Sequence, residues 1–244
     1  ITEEGSRFIQ HADSVIQELG KIAEIKSDEP VHRFSVHCMF NHTIVSRAFA
    51  KLCGEYTHCS KLDFSILTDS AGTIADDIYM GRCQLGIALM NQTMIDVYSK
   101  TMSNKNLNIQ IISDLHFNVN MRKEHPLAGI TPFPFERLHD YPYVNYTFNR
   151  LTDMPDIFAM GLVDPCKVIT VSERETRSQA VIGSDAFSIG CTFHPSTKAV
   201  DQMYSVKIPN IIVKLVLVYK KNLPFNEETK RFLELLDTEL QNIL

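Results

Sequence analysis

The sequence has no long apolar run: no segment of about 18 consecutive apolar residues, the length that spans a bilayer as a helix, is present. It also has no excess of basic residues, since 24 Lys and Arg stand against 29 Asp and Glu, for a formal net charge of -5. A surface that grips DNA over a broad face is expected to be basic, so these residues are not expected to grip DNA themselves. The opening segment is charged and lacks the basic start and apolar centre of a secretory signal peptide.

The motifs of common enzyme classes are missing as well. No G-x-S-x-G, H-E-x-x-H, P-loop or G-x-G-x-x-G pattern occurs. The nine histidines fall at no convincing metal-ligand spacing, and His37 and His42, at either side of one predicted strand end, are weak as a ligand pair. The adjacent Asp76 and Asp77 point about 100° apart on a predicted helix, which indicates a solvated face rather than a catalytic carboxylate pair. We therefore expect a protein that is not an enzyme and that has no metal and no cofactor.

Six cysteines are present, but they form no C-x-x-C pair and no regular spacing. A chain of 244 residues buries a core without disulfides, and scattered cysteines of this kind are typical of buried thiols in a reducing cytosol. A redox-switching pair of Cys166 and Cys191 is the alternative, and it stays open because sequence spacing does not fix the distance between two thiols.

Residues 1–26 are predicted to form one long linker helix. Thr2 is placed to cap it, and two glutamates follow at the positive end of the helix dipole. The helix carries a narrow apolar seam, whose residues repeat at alternating spacings of four and three, at Phe8, Ala12, Val15, Leu19 and Ile22. Such a seam predicts packing against a partner helix and hence dimerisation, although an amphipathic helix lying on its own domain is the alternative.

Residues 27–33 are predicted to be a hinge, since Pro30 disfavours a helix just before it.

From residue 34 onward strands alternate with helices. The apolar period of two predicts strands at 34–39, 62–67 and 85–90, and a period near 3.6 predicts helices at 43–56 and at about 73–81, the latter closing at Gly81. A β-α-β-α-β order implies a parallel sheet with helices on its faces.

A second α/β unit follows. A further strand of the first lobe is predicted at 107–112, and the predicted strands of the second unit are 117–121, 143–147, 167–171 and 187–191, with helices near 151–160 and 175–182. The strand 213–220 and the amphipathic helix 227–240 have no unit of their own and are expected to return to the first lobe. We therefore assign residues 34–112 and 210–244 to lobe I and residues 113–209 to lobe II, with two passages of the chain between them.

Hydroxyl and amide side chains follow several of the predicted strands. In open α/β sheets, ligands bind beyond the carboxyl ends of the strands, where helix amino termini present N–H groups. Each of these side chains is also explained as a helix cap. The charge preference of such a site stays open, because two acidic residues, Asp69 and Glu173, accompany the hydroxyls. The side chains concerned are those of Asn41, Thr43, Thr68, Ser70 and Ser172.

The order of several segments resembles that of LysR-type transcriptional regulators. ITEEGSRFIQHADSVIQEL resembles their linker helix, and FSVHCMFNHTIVSRAFAKLCGEY resembles the opening of their effector-binding domain. Further matching segments, which bring the coverage to essentially the whole chain, are ILTDSAGTIADDIYMGRCQLGIAL, KEHPLAG, LHDYPYVNY, VIGSDAFSIGCTFHP and LVLVYKKNLPFNEETKRFLELL. Three features depart from the family pattern. Asp185 stands where a second Gly is common, Asn41 stands near a position often held by Ser or Thr, and the amino-terminal winged helix-turn-helix is missing.

The resemblance implies an α/β fold of two Rossmann-like lobes, like the type 2 periplasmic binding proteins, joined by two crossover strands and preceded by the linker helix. It implies a cytoplasmic homodimer or homotetramer that contacts DNA only through the missing domain and has no membrane contact. A small-molecule effector is expected to bind between the lobes and to change the arrangement of the subunits. Helix 43–56 is expected either to pack against another subunit or to belong to its own lobe. Carried over by position, the ligand-binding residues are Asn41, Thr43, Thr68, Ser70, Tyr146, Thr147, Phe148, Ser172, Thr192, Phe193 and His194.

Two other classes of protein compete with this interpretation. A solute-binding protein for transport shares the two-lobed fold, but it needs an export signal and has no use for a heptad helix at its amino terminus. A small two-lobed enzyme needs a titratable pair or a cofactor lysine in its cleft, and the sequence indicates neither.

Overall fold

The structure, a computed structural model, describes residues 2, 4–5, 8–9, 12, 15–16, 19–20, 22, 31–39, 43–69, 71–146, 167–191 and 202–242. The chain divides into two compact units. Unit 1 comprises Ile1–Ala88, Ile95–Gln110 and Val216–Leu240, and unit 2 comprises Leu89–Met94, Ile111–Leu215 and Gln241–Leu244. Among the described residues, no helix combines the length and the apolar character needed to cross a membrane.

The described residues between positions 4 and 22 are helical, as predicted. Thr2 caps this segment, because its hydroxyl oxygen accepts a hydrogen bond from the Gly5 N–H at 3.1 Å. The side chains of the predicted seam face solvent, with 73% of Phe8, 59% of Leu19 and 59% of Ile22 exposed. Large apolar side chains left this open do not belong to the core of their own unit, which is what packing against a partner helix requires.

Unit 1 is built on a parallel β-α-β-α-β arrangement. Its first elements are β1 (His32–Cys38), α1 (Thr43–Tyr56), β2 (Leu62–Thr68), α2 (Ala71–Met80), β3 (Leu85–Met90) and α3 (Gln92–Asn104). Strand β1 pairs in parallel with β2 on one side and with β3 on the other. The amphipathic helix α5 (Glu227–Gln241) closes the chain and packs Phe232 against Phe34, with ring centroids 4.6 Å apart. Helix α5 up to Leu240 therefore belongs to unit 1.

The apolar face of α1 lies inside unit 1. Its residues Ile44, Val45, Ala48 and Leu52 are all fully buried within the single chain. This helix was expected either to pack against another subunit or to belong to its own lobe, and the described burial shows it as part of its own lobe.

Unit 2 contains the remaining elements. They are β5 (Tyr143–Tyr146), β6 (Val168–Val171), α4 (Arg174–Ile182) and β7 (Phe187–Cys191), preceded by a short 3-10 helix at Phe135–Asp140. Strand β5 is parallel to both β6 and β7, whereas β7 is antiparallel to β4 (Leu107–Arg122). A small core of Val144, Val181, Ala186 and Met203 holds α4 against the sheet. The predicted helix near 151–160 lies outside the described residues.

Two long strands run through both units. Strand β4 and strand β8 (Met203–Lys220) are neighbours in the hydrogen-bonded order β2-β1-β3-β8-β4-β7-β5-β6. They are antiparallel, since the Lys221 N–H donates to the Asn106 carbonyl and the Ser205 hydroxyl donates to Asn120 at the other end. The sequence predicted separate strands at 107–112 and 117–121, and it began the last strand at 213. The polar residues of β4 and β8 interrupt the apolar pattern without interrupting the backbone ladder, so each predicted strand is too short.

Helix α3 was not among the predicted elements. Among its residues only Ile95 and Met102 are buried, seven positions apart, so its sequence carries little of the repeated apolar pattern that marks a core-facing helix. Asn91 caps it by accepting a hydrogen bond from the Met94 N–H at 2.8 Å.

Candidate functional site

In unit 1, the two predicted site residues that the structure describes lie at the carboxyl ends of the strands. Cys38 is paired with Thr68 in the parallel ladder, so β1 and β2 end at the same level. The Asp69 N–H donates to the Cys38 carbonyl at 3.0 Å and ties the two strand ends together. Thr68 is exposed, and Thr43 begins α1 just beyond β1. The structure thus places Thr43 and Thr68 at one edge, while Asn41 and Ser70 lie outside the described residues.

In unit 2, two of the predicted residues lie at the corresponding edge. Tyr146 is the last residue of β5 and pairs with Val171, the last residue of β6. Ser172 follows directly and is exposed. The other residues predicted for this side lie outside the described part of the chain, so their contribution stays a prediction. They are Thr147, Phe148, Thr192, Phe193 and His194.

A guanidinium group lies near the same edge of unit 2. Arg177, in the first half of α4, donates a hydrogen bond from Nη2 to the carbonyl of Ile189 in the middle of β7. A side chain at position 190 would crowd this group, since a Cβ built on Gly190 lies 3.4 Å from both Nη1 and Nη2 of Arg177. The sequence analysis missed Arg177. The signal that points to it is a glycine inside a strand, which often marks a close approach by another group.

Burial controls the titration of the groups around Arg177. It raises the pKa of Tyr143 to about 12 and that of the Cys191 thiol to about 12, although the positive charge of Arg177 acts in the opposite direction on both. Both groups are therefore neutral at physiological pH and add no negative charge beside the guanidinium.

A buried charge cluster supports the end of β1 in unit 1. The Nδ1 atom of His37 lies 2.8 Å from Oδ2 of Asp77, at ion-pair distance but without the alignment of a hydrogen bond. Nε of Arg82 donates to the other oxygen of Asp77 at 2.6 Å. Only 8% of the His37 side chain and 9% of the Asp77 side chain are exposed. Because these side chains are enclosed, the cluster holds the strand and the helix together and does not face a substrate.

The turn after α2 brings Arg82 back to Asp77. Gly81 has a positive φ of 77°, its N–H donates to the Ile78 carbonyl, and the Arg82 N–H donates to the Asp77 carbonyl. This is the Schellman arrangement, in which a left-handed glycine reverses the chain after a helix. The helix end at Gly81 was predicted, but the charge cluster that the turn assembles was not.

The expectation of a solvated face holds for Asp76 and is wrong for Asp77. Asp76 is exposed and pairs with Lys105, whereas only 7% of Asp77 is exposed. Asp77 follows Ile74 by three positions and precedes Ile78 by one, and both isoleucines are buried. That spacing places Asp77 on the buried face of the helix and is the signal that could have identified it.

The described cysteines are free thiols, but the prediction of buried thiols holds only for Cys38 and Cys83, since Cys53, Cys59 and Cys191 are partly exposed. Burial raises the pKa of Cys38 and of Cys83 to about 12, so neither is a thiolate near neutral pH. Cys166 lies outside the described residues, and its pairing with Cys191 stays an alternative. No group of three or more potential metal ligands occurs within the part of the chain that the structure describes.

Asp185, which departs from the family pattern, has a defined role in the turn before β7. Its Oδ1 accepts hydrogen bonds from Nε and Nη2 of Arg122, at 2.9 and 2.6 Å. Its carbonyl accepts one from Nε2 of His125, whose Nδ1 accepts the Leu127 N–H. Burial lowers the pKa of His125 and keeps it in this neutral, one-donor form. A carboxylate in place of a glycine therefore joins this turn to the segment that follows β4.

No protein-family model and no curated protein sequence matches the chain. Solved structures do match it. The regulatory domain of CcmR from Synechocystis PCC6803, in complex with 2-PG, superposes with a TM-score of 0.63 at 19% identity, over 86% of this chain and 98% of that one. The effector binding domain of QuiR, in complex with shikimate, superposes with a TM-score of 0.56 at 17% identity, over 88% of this chain and 100% of that one.

A longer protein matches the amino-terminal helix as well. HinK, a LysR family transcriptional regulator from Pseudomonas aeruginosa, superposes with a TM-score of 0.57 at 14% identity, over 98% of this chain and 81% of that one. The chain therefore has the periplasmic-binding-protein-like α/β fold of the effector-binding domains of LysR-family transcriptional regulators, as its sequence predicted.

Proposed function

We propose that this chain is the effector-sensing and oligomerisation part of a LysR-type transcriptional regulator. The observation that carries the proposal is the match of the fold to nearly the whole length of two isolated effector domains, each solved with a small molecule bound. In this assignment residues 1–26 are the linker helix, 27–33 the hinge, 34–112 and 210–244 lobe I, and 113–209 lobe II. The protein binds a ligand and performs no reaction on it.

The ligand is a small metabolite held between the lobes. Support comes from the placement of Thr43 and Thr68 at one strand edge of unit 1, and of Tyr146 and Ser172 at one strand edge of unit 2. The side chains of Thr68 and Ser172 are exposed, so their hydroxyls are free to donate hydrogen bonds to, and accept them from, the polar groups of a metabolite. Arg177 adds a cation near the second edge and favours an acidic ligand.

The signal is transmitted because the ligand binds more tightly to one arrangement of the lobes than to another. A ligand shifts such an equilibrium by as much as its differential affinity, typically about 1–3 kcal/mol. The protein acts as a homodimer or homotetramer in the cytoplasm and reaches DNA through a separate amino-terminal domain. The exposed seam of the amino-terminal helix supports this assignment over a solute-binding protein for transport, which has no use for a coiled-coil partner.

The test is a thermal-shift screen of metabolites, beginning with shikimate and 2-PG, followed by variants of the full regulator. We expect a ligand that raises the melting temperature, and we expect Thr43→Ala combined with Ser70→Ala to abolish both that shift and the inducer response while leaving DNA binding intact. Thr57→Ala is the matched control, since this threonine caps the far end of α1 by donating to the Gly54 carbonyl. An unaltered dose-response in the double variant would remove these residues from the site.

A further inference from the structure

A cavity of about 820 Å³ opens at the end of unit 1 that is opposite to Thr43 and Thr68. It lies among the amino-terminal halves of β1 and β2, the turn before β3, and the segment that follows β8. Ligand sites in proteins have volumes of about 300–1,000 Å³, so this space accommodates a small organic molecule. All of its lining residues belong to unit 1.

The charged residues that line the cavity are mostly basic. Arg33, Arg82 and Lys220 contribute three cations, against the single carboxylate of Asp63. Arg82 is engaged by Asp77, and Nε of Arg33 lies 3.6 Å from a carboxylate oxygen of Asp63. Lys220 has no acidic partner among the residues that the structure describes. The ammonium group of Lys220 therefore makes the cavity attractive to an anion.

The polar wall of the cavity is held in place by hydrogen bonds. The Asn226 amide donates to the Arg33 carbonyl at 2.8 Å and accepts the Thr229 N–H at 3.0 Å, which joins the start of α5 to the start of β1. On the facing side, Oε1 of Gln84 accepts the Ser35 N–H at 2.7 Å. A wall fixed in this way needs little reordering when a ligand binds, which lowers the entropic cost of binding.

One buried hydroxyl at the cavity lacks a protein partner. Thr229 is fully buried, and its Oγ1 has no hydrogen-bond partner among the described residues. Buried hydroxyls in proteins are nearly always hydrogen-bonded, and an unsatisfied one costs about 1–3 kcal/mol. Because Oγ1 is closed to solvent in this arrangement, a polar group of a bound molecule would supply the missing partner only after the adjacent wall of the cavity moves.

We propose that unit 1 contains a second ligand site in this cavity, for a small organic anion, separate from the effector site between the lobes. The carboxylate or phosphate of the ligand pairs with Lys220, and its apolar part lies against Phe225 and Leu223. Leu223 is 59% exposed although it lines the cavity, so an apolar group placed over it removes that surface from water.

This site is placed to act on the amino-terminal helix. Gly20 of that helix also lines the cavity, and so does Arg33, which is the last residue of the predicted hinge and lies at the start of β1. A ligand here contacts both the helix and the body of unit 1. It would therefore change the energy of their arrangement without binding between the lobes.

The probe for this site is 4-fluorophenylacetate, observed by ¹⁹F NMR in a titration of the 244-residue chain. We expect saturable binding at or below about 10 mM, and binding at least about tenfold weaker for the neutral 4-fluorophenylacetamide, which has the same shape without the charge. Absence of saturable binding by the anion, or equal binding of the amide, would overturn the proposal.

Three variants locate the binding. Lys220→Gln should weaken the affinity about fivefold or more, whereas Lys221→Gln, which changes the adjacent lysine that contacts the Ser103 hydroxyl and does not line the cavity, should leave it unchanged. Thr43→Ala combined with Ser70→Ala, which alters the proposed effector site, should also leave it unchanged. Binding that survives Lys220→Gln, or that is lost in the threonine–serine double variant, would assign the probe to another site.

Discussion

His37 at the end of β1 lies 2.8 Å from Asp77 on α2, and Arg82 contacts the same carboxylate from the turn that follows. A strand, a helix and a turn are thus joined through one buried acid. Buried charges of this kind are tolerated only when they are paired, because an unpaired charge inside a protein has lost its hydration without compensation. The need to pair the buried carboxylate of Asp77 explains why His37 and Arg82 lie beside it at the end of β1.

Removing the charge of Asp77 should therefore destabilise the protein. We expect Asp77→Asn to lower the free energy of unfolding by about 2 kcal/mol, because the partly buried guanidinium of Arg82 would lose its charged hydrogen-bond partner. The measurement is urea denaturation followed by circular dichroism. Asp76→Asn is the matched control on the adjacent residue, whose exposed pair with Lys105 should contribute less than about 1 kcal/mol. Equal effects of the two changes would show that the buried cluster contributes no more than a surface ion pair.

Gly86 in β3 should not tolerate a side chain. A Cβ at this position would lie 2.5 Å from Cγ2 of Ile74 and 2.9 Å from Cδ1 of Ile78, two core residues of α2. We expect Gly86→Ala to lower the free energy of unfolding by about 1–3 kcal/mol through overpacking. Gly54→Ala is the control, because a Cβ there meets nothing within 4 Å, and alanine stabilises a helix relative to glycine by about 0.5–1 kcal/mol. A melting temperature that rises in both variants would contradict the close packing of β3 against α2.

Glu239 joins α5 to α1 through two basic residues. It is fully buried, Nε of Arg47 donates to it at 2.6 Å, and Nζ of Lys51 lies 2.5 Å from its other oxygen. Burial opposes its ionisation, but the hydrogen bonds from Lys51 and Arg47 outweigh burial and lower the pKa of Glu239 below its ordinary value. The ionised form is therefore more favourable in the folded than in the unfolded protein.

The stability contributed by Glu239 should depend on pH in a defined direction. Since the folded pKa is the lower one, the contribution is complete above the unfolded pKa of about 4.3 and is lost as the pH falls through the folded pKa. We expect Glu239→Gln to cost about 2 kcal/mol at pH 7 and progressively less below about pH 4. Denaturation curves across this pH range measure the difference. Glu234→Gln on the same helix, which removes an exposed partner of Arg231, should show little effect at any pH, and a loss for Glu239→Gln that does not depend on pH would rule out the ionised pair.

The exposed seam of the amino-terminal helix should govern self-association. Leu19 is 59% exposed in the single chain, so we expect Leu19→Lys to weaken association by placing a charge inside a helix–helix interface. Sedimentation equilibrium across a concentration series measures the shift toward monomer. Gln17→Lys adds the same charge two residues away, outside the seam, and should leave the equilibrium unchanged. An oligomer unaffected by Leu19→Lys would assign the interface to another surface.

The success of the sequence-based prediction varies with the kind of element. The strands at 85–90 and 187–191 and the helix at 43–56 were predicted with the bounds that the structure shows, because each carries a clear apolar pattern between breaks. Helix α3 carries two buried residues and was missed, and the polar residues of β4 and β8 shortened the strands predicted there. Of the ligand-binding residues carried over by position, Thr43, Thr68, Tyr146 and Ser172 lie at or directly after strand ends, and their contact with a ligand stays a prediction.

Local periodicity by itself determined the alternation of strands and helices, the parallel β-α-β order and the apolar seam of the first helix, because each depends on residues close together in sequence. Tertiary structure alone decided which charges meet. Asp77 and His37 are forty positions apart, Glu239 and Arg47 are almost two hundred apart, and the cavity beside Lys220 is walled by five separate segments. Such contacts arise only when the sheet brings distant segments together, so no pattern along the chain encodes them.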